Sequence, residues 1–298
     1  MRIGIDLGGS HIAIGVVKEN GTILEKKETD LNRKEQDILE QFIQEYIVRG
    51  IKEYIDKYPI ELIGIASPGE PREGKITSLM NLGIQELDIT ETIHKICNLP
   101  VQLFNDAKSA GLAEKKYGAI REDEDSVFIC LGTGIGGAVF MENKLLTPKR
   151  NSGFELGHMV IQKNGELCKC GKRGCFETYC SIKRLKEAFI QILQIPEETK
   201  AQELLEILRE RQKEEKVVEK INTYIEDLMI GLSNIIDIFE PQSICLGGSF
   251  VYFEDILYDK LVETFEKKEQ VFNKDSIPSL KLAMLGNDAG IIGATIKK

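Results

Sequence analysis

One histidine and three cysteines lie close enough along this 298-residue chain to bind one metal ion. His158 follows Gly157, and Cys168, Cys170 and Cys175 come within the next 17 residues. One imidazole and three thiolates form the closed tetrahedral ligand set that is typical of structural zinc. A disulfide between Cys168 and Cys170 is a poor alternative, because so short a loop strains the bond. The motif therefore predicts a structural zinc site that has no open position for a substrate.

Two carboxylates flank this metal motif. Glu155 lies three residues before His158, and Glu177 lies two residues after Cys175. A rigid metal knuckle that fixes hydrogen-bond acceptors suits a ligand with several hydroxyl groups, such as a sugar. The alternative is that both glutamates are ordinary solvated surface residues.

Two glycine-rich turns each join a pair of short strands. Gly8-Gly9-Ser10 follows RIGIDL, and Gly132 to Gly137, which includes Thr133, follows SVFICL. The second turn contains G-x-G-x-x-G, but the next residues, AVFMENKLL, predict a strand, whereas a dinucleotide fingerprint must open a helix. Bare N–H groups in such turns can bind phosphate. Two plain hairpins are the alternative, but two equivalent turns with nearby hydroxyls favour phosphate.

The two turns belong to an internal repeat. Two segments share the order strand, glycine turn, strand, turn, strand: RIGIDLGGSHIAIGVVKENGTIL and SVFICLGTGIGGAVFMENKLL. The repeat predicts an α/β chain with two related lobes and a central cleft. Residues 1–118 with 287–298 would form a smaller N-terminal lobe, and 119–286 a larger C-terminal lobe with the zinc knuckle. A weaker echo relates Asn105-Asp106-Ala107 to Asn287-Asp288-Ala289.

The composition is that of an acidic chain with enough apolar residues for a core. There are 39 basic and 48 acidic side chains, a net charge of -9, and 42% hydrophobic residues. The negative charge opposes binding to nucleic acid or anionic membranes. No apolar run reaches the roughly 18 residues of a membrane span, and the start, MRIGIDLGG, does not read as a signal peptide. Seven cysteines, an odd number, predict reduced thiols and a cytoplasmic location.

The chain resembles the ROK family in five motifs: DLGGS, FNDAKSAGLAE, LGTGIGG, GFELGHMVIQKNGELCKCGKRGCFET and LGGS. This family comprises bacterial sugar kinases and related repressors. The resemblance covers nearly the whole chain, and it implies a duplicated actin-like ATPase fold of the ribonuclease H-like kind.

The resemblance also implies roles for individual residues, with Asp106 as the catalytic base. The sugar would be contacted by Asn81, Asn105, Asp106, Glu155, His158 and Glu177. His158 would use one ring nitrogen for zinc and the other for a sugar hydroxyl. ATP with Mg²⁺ would be bound by Asp6, Gly8, Gly9, Ser10, Gly132, Thr133, Gly134, Gly136, Gly137, Gly247 and Gly248. Within this set, the loop from Leu246 to Ser249 would lie against the adenosine. His11 replaces the Lys or Asn of the family pattern, so a structural role is expected for it.

The implied function is ATP-dependent phosphorylation of a hexose, with glucose as the expected substrate and a homodimer as the expected assembly. The alternatives are a kinase for N-acetylmannosamine or another hexose, and a sugar-sensing protein without catalysis. Repressors of the family carry a helix-turn-helix domain before the first phosphate strand, whereas Asp6 is the sixth residue here. The net charge also opposes DNA binding, and an intact Asp106 favours catalysis over sensing alone.

Overall fold

The structure, a computed structural model, describes residues 1–32, 36–79, 82–148, 153–267 and 277–297. The chain divides into two compact units. The first comprises Met1–Glu122, Leu145–Phe154 and Met284–Lys298, and the second comprises Asp123–Lys144 and Glu155–Ala283. The lobe boundaries expected from the sequence, residues 1–118 with 287–298 and residues 119–286, stay a prediction.

The first unit is built on a five-stranded sheet with the order β3-β2-β1-β4-β8. Strands β1 to β3 are antiparallel, and β1, β4 and β8 run parallel. A three-stranded sheet, β5-β6-β7, is added to it. In chain order the elements are β1 (Arg2–Leu7), β2 (His11–Val17), β3 (Ile23–Asp30), α1 (Gln36–Lys57), β4 (Leu62–Ser67), β5 (Glu70–Arg72), β6 (Lys75–Leu79), β7 (Ile84–Leu87), α2 (Ile89–His94), β8 (Val101–Asn105) and α3 (Asp106–Tyr117).

The second unit repeats this arrangement. Its five-stranded sheet has the order β11-β10-β9-β12-β13, in which β9 and β10 are antiparallel and β9, β12 and β13 run parallel. The matching strand orders confirm the duplication predicted from the two glycine turns. The elements are β9 (Ser126–Leu131), β10 (Ile135–Met141), β11 (Lys144–Leu145), α4 (Phe176–Cys180), α5 (Ile182–Leu193), α6 (Ala201–Arg211), α7 (Glu215–Phe239), β12 (Ser243–Gly247), α8 (Asp259–Glu266) and β13 (Ser279–Leu282).

A last helix, α9 (Ala289–Ala294), returns to the first unit and packs closely on β1 and β4. Gly4 and Gly64 face each other across these strands. A Cβ at Gly4 would lie 2.8 Å from the Ile291 side chain, and one at Gly64 would overlap the Ala294 carbonyl oxygen. Because alternate strand residues face opposite sides, Ile3 and Ile5 point instead into the core that α1 covers.

The carboxyl ends of the parallel strands carry the residues that the motifs single out. In the first unit β1 ends near Asp6, and β8 ends at Asn105; in the second, β9 and β12 each lead into a glycine-rich loop. Ligands of open α/β sheets bind outside the carboxyl ends of the strands, so these edges are where a site is expected. No helix in the described part of the chain is long and apolar enough to cross a membrane.

Candidate functional site

The junction between β8 and α3 fixes the carboxylate of Asp106. Asn105 is the N-cap of α3, and its Oδ1 accepts a hydrogen bond from the Lys108 N–H at 3.3 Å. Asp106 is the first residue of the helix, and its Oδ1 accepts from the Ala107 N–H at 2.7 Å. Asn105 therefore caps the helix, and α3 does not need Asp106 as its N-cap.

A second carboxylate of the first unit interacts electrostatically with Asp106. Burial, and to a lesser extent the charge of Asp106, raise the pKa of Asp6 to about 7. Gly290 of α9 packs directly against Asp6, because a Cβ there would lie 2.6 Å from its carboxyl carbon. A pair of like charges in a confined place favours a proton or a cation near them.

Asp288, the sequence echo of Asp106, has a different environment. Its carboxylate pairs with the Lys26 ammonium at 2.9 Å, and its side chain caps no helix. Nearly half of its side chain is exposed to solvent. The echo in sequence therefore does not produce a second copy of the Asp106 junction.

Two buried charged residues of α3, Lys108 and Glu114, were not predicted from the sequence to have a role. Lys108 is buried and donates from Nζ to the Gly153 carbonyl at 2.9 Å. Glu114 is fully buried and accepts from the backbone N–H groups of Ala119, Met284 and Leu285 at 2.8 to 2.9 Å. Both lie in the motif FNDAKSAGLAE, but nothing in its spacing indicates these distant partners.

The first glycine loop closes tightly between β1 and β2. The Gly8 N–H donates to the His11 carbonyl at 2.9 Å, and Leu7 pairs with Ile12. The His11 ring lies over Gly8, where a Cβ would approach its Nδ1 to 3.1 Å. His11 begins β2, in agreement with the structural role expected for it.

The second glycine loop lies between β9 and β10, as a strand–turn–strand loop should. The Gly132 N–H donates to the Gly134 carbonyl at 2.9 Å, and the Gly132 carbonyl accepts from the Lys183 N–H of α5 at 3.1 Å. Thr133 at the tip is exposed. A Cβ at Gly132 would meet no atom within 4 Å, so this position is open to a ligand.

Position 134 requires a glycine because the carboxylate of Glu177 occupies the space where a side chain would lie. A Cβ at Gly134 would overlap the Glu177 carboxylate, and Glu177 Oε2 accepts from the Ile135 N–H at 2.8 Å. Glu177 lies in the first turn of α4, directly after the cysteine motif. It is therefore no ordinary surface glutamate, since it joins that motif to the second glycine loop.

Two further glycines let the Glu155–His158 segment pack on β10. A Cβ at Gly137 would lie 2.7 Å from the Leu156 side chain, and one at Gly157 would lie 2.9 Å from that of Ile135. This close contact holds the short 3-10 helix Leu156–His158. Gly136 is a ladder residue that pairs with Cys130. Packing thus accounts for Gly137, and its predicted contact with phosphate stays a prediction.

The loop after β12 lies against the end of β9. Gly248 has a φ of +68°, a left-handed conformation that favours glycine. A Cβ there would lie 2.7 Å from the Leu131 carbonyl oxygen, and one at Gly247 would lie 2.6 Å from the Phe128 ring. The predicted adenosine loop is therefore next to the second glycine loop.

The four predicted metal ligands converge in the second unit. One ligand atom from each of His158, Cys168, Cys170 and Cys175 lies within 4.8 Å of the others. Cys168 Sγ is 3.7 Å from His158 Nδ1, and Cys170 Sγ is 3.6 Å from Cys175 Sγ. A tetrahedral site with metal–sulfur bonds of about 2.3 Å has edges of about 3.8 Å. The donor set therefore fits a zinc ion, with Nδ1 as the histidine ligand.

Tight turns bring these ligands together. Gly171 and Gly174 have φ values of +87° and +79°, and the Cys168 N–H donates to the Lys172 carbonyl at 2.8 Å. Burial and the two neighbouring thiols raise the pKa of Cys175 to about 12. A divalent cation is the partner that would let such crowded thiols ionise together.

The predicted site residues fall into two groups. The first unit contains the Asp6–Ser10 loop and the Asn105–Asp106 junction, and the second contains the other glycine loops, Glu155, Glu177 and the metal ligands. Asn81, a predicted sugar contact, lies outside the described residues.

Comparison with known proteins gives a family and several relatives. A model of the ROK family matches residues 2–297. The glucokinase of Thermotoga maritima is 30% identical over 98% of this chain and 95% of that protein. An N-acetylmannosamine kinase of Haemophilus influenzae is 30% identical over 98% and 93%. The xylose repressor of Bacillus subtilis is 29% identical over 84% of this chain but 64% of that protein.

A solved structure has the same fold. The ROK family glucokinase from Streptomyces griseus in complex with glucose and AMPPNP superposes with a TM-score of 0.81 at 25% identity. The match covers 98% of this chain and 97% of that one. This likeness and the two equal strand orders confirm the duplicated actin-like ATPase fold.

The raised pKa of Asp6 predicts a pH-dependent stability. An unfolded aspartate has a pKa of about 3.9, so folding favours protonated Asp6, and stability is lost as the pH rises from about 4 to about 7. Without added Mg²⁺ or nucleotide, Asp6→Asn should therefore be more stable than the wild type at pH 8. The expected difference in the free energy of unfolding is on the order of 2 kcal/mol, because Asp6 is partly exposed and solvent screens its charge. Urea unfolding at pH 4.5 and pH 8 measures this difference.

Asp288→Asn is the control for this measurement, because it removes an exposed carboxylate worth less than about 1 kcal/mol. An Asp6→Asn advantage that is the same at both pH values would contradict the assignment.

The position of the Glu177 carboxylate beside Gly134 predicts that substitution of two glycines in the same loop will have different effects on stability. Gly134→Ala should displace the Glu177 carboxylate and lower the free energy of unfolding by about 1–3 kcal/mol. Gly132→Ala points into open space and should change it by less than about 0.5 kcal/mol. Denaturant unfolding of both variants tests this, and equal losses would show that Glu177 does not depend on the bare Gly134.

Proposed function

Because this chain belongs to the ROK family, we propose that it transfers a phosphoryl group from ATP to a hydroxyl of a hexose, with glucose as the first substrate to test. The observation that carries the proposal is the Asp106 carboxylate, held at the start of α3 and close enough to Asp6 to shift its pKa. The sugar kinases among the relatives support the reaction class.

Asp106 would act as the base. Phosphoryl transfer needs an in-line hydroxyl, a group that accepts its proton, and donors that neutralise the phosphate charge. The Ala107 N–H orients one carboxylate oxygen of Asp106. Asn105, the adjacent N-cap, would contact the sugar, so one short segment would both hold the sugar and take its proton.

Asp6 would hold Mg²⁺ through water. A carboxylate oxygen is a ligand that Mg²⁺ prefers, and the raised pKa of Asp6 is that of a site which favours a cation. When bound, the ion supplies positive charge next to the phosphates. The glycine loops would add backbone N–H donors, and the open position beside Gly132 supports phosphate contact there.

His158, Glu155 and Glu177 would bind the sugar from the second unit. His158 Nδ1 points to Cys168, which leaves Nε2 for a sugar hydroxyl. Zinc bound by the four ligands would be structural, since a closed set of three thiolates and one imidazole has no position for substrate. The packing of Leu156 on β10 supports a fixed place for Glu155.

The identity of the hexose that the protein phosphorylates is a separate question from the reaction class. A glucokinase and an N-acetylmannosamine kinase are similar to this chain at 30% identity each. A screen of hexoses with ATP, read as sugar-dependent ADP release, would rank the substrates. The same assay distinguishes a kinase from a sugar-sensing protein, which would bind the sugar without releasing ADP.

The zinc proposal predicts about one zinc ion per chain. Cys170→Ser should lose zinc and weaken sugar binding, because Glu177 lies only two residues after Cys175. It should also weaken ATP binding, because Glu177 Oε2 holds the N–H of Ile135 in the second glycine loop. Metal analysis and calorimetric titrations measure these effects, with Cys97→Ser as the control outside the ligand set. Purified active protein without zinc would contradict the proposal.

The base assignment predicts different behaviour for two aspartates. Asp106→Asn keeps the size of the side chain but cannot accept a proton, so kcat should fall by roughly 10²- to 10⁴-fold or more. Sugar binding should persist, because Asn105 still caps the helix. Asp288→Asn loses an exposed ion pair with Lys26 and should leave kcat within about 2-fold. Near-normal turnover of a folded Asp106→Asn protein would refute the assignment.

A further inference from the structure

The second unit contains a cavity of about 320 Å³ that no motif predicted. Its lining joins the tip of the second glycine loop, at Gly132 and Thr133, to Ser249 in the loop after β12. Two lysines of α5, Lys183 and Lys186, complete this side of it. The cavity therefore runs between the predicted phosphate loop and the predicted adenosine loop.

Helix α5 is fixed at this cavity by its first turn. Ser181 is the N-cap, and its hydroxyl accepts from the Arg184 N–H at 3.4 Å. The Lys183 N–H donates to the Gly132 carbonyl at 3.1 Å, which ties the helix to the glycine loop. Lys186 lies three residues after Lys183 and so projects from the same face of the helix.

The two lysines differ in their partners. Lys183 lies 3.7 Å from Glu187, a carboxylate that Arg184 also approaches to 3.5 Å. Lys186 has no carboxylate within 4.0 Å among the described residues, and its ammonium stands 5.9 Å from the centre of the Phe253 ring. Burial lowers the pKa of Lys186. An ammonium that is partly withdrawn from water and lacks a counterion is a natural partner for an anion.

We propose that Lys186 binds the phosphates that ATP and ADP share. This inference rests on the proposed function and assigns a positively charged side chain to its nucleotide site. These phosphates link adenosine to the transferred group, and the cavity links the two loops predicted for those ends. Lys183, whose ammonium lies 3.7 Å from the Glu187 carboxylate, already has a partner of opposite charge. Two carboxylates, Glu187 and Glu197, also line the cavity, but neither lies within 4.0 Å of the Lys186 ammonium. Burial is the cause of the lowered pKa of Lys186.

The experiment is calorimetric binding of ATP, ADP and adenosine to the whole chain with Mg²⁺. Lys186→Met keeps the apolar stem against Phe253 and removes the charge. Because a hydrogen bond to a charged group is worth a factor of about 10 to 100, the Kd values for ATP and ADP should rise by about that factor. The Kd for adenosine should change by less than about 2-fold. Lys186→Arg should retain most of the affinity, since it keeps the positive charge.

Lys220→Met is the matched control, because this α7 lysine lines a different cavity and carries the same charge. It should bind all three ligands like the wild type, and thermal melts check that each variant is folded. Unchanged ATP and ADP binding in Lys186→Met would overturn the proposal, and so would an equal loss for adenosine. Wild-type protein that binds nucleotide but releases no ADP with any sugar would remove the proposed function and leave this inference standing.

Discussion

The hydrogen bond from the Ile135 N–H to Glu177 joins the two most distinctive sequence motifs of the chain. It depends on Gly134, since any side chain there would take the space of the carboxylate. Glu177 lies in the first turn of α4, two residues after Cys175, so one side chain connects the metal-ligand motif with the second glycine loop. Phe176, the residue between them, is fully buried and packs against Gly231 of α7, which anchors the contact in the core.

The duplicated sheet has the same strand order in both units but not the same chemistry. Leu7 pairs with Ile12, and Leu131 pairs with Ile135, so Cys130 occupies the position that Asp6 holds in the first unit. The carboxylate pair therefore belongs to one repeat and the metal motif to the other. Close packing of α9 on the glycines of β1 and β4 also brings Gly290 against Asp6, which helps to withdraw that carboxylate from water.

Charge that is incompletely compensated characterises the candidate site. Burial and, to a lesser extent, the charge of Asp106 raise the pKa of Asp6. In the second unit, Lys186 lines a cavity with the second glycine loop and the loop after β12, and it has no carboxylate within 4.0 Å among the described residues. Groups of this kind cost free energy in the unliganded protein, and a bound ligand that compensates them stabilises the folded state by linkage. On the proposed function, a cation and a polyphosphate would supply the two missing charges.

Short-range patterns in the sequence determined much of this protein. The alternation of apolar residues around Gly8 and Gly132 specifies strand–turn–strand units. The spacing of His158 and the three cysteines was enough to predict that they converge. Both are local, because the residues concerned are close along the chain. The tertiary structure decided the rest. Glu114 binds backbone groups 170 residues away, Asp288 pairs with Lys26 rather than copying Asp106, and Lys186 gains its position because α5 is tied to Gly132. Such contacts depend on how separate elements pack, and no periodicity or spacing within one segment encodes that packing.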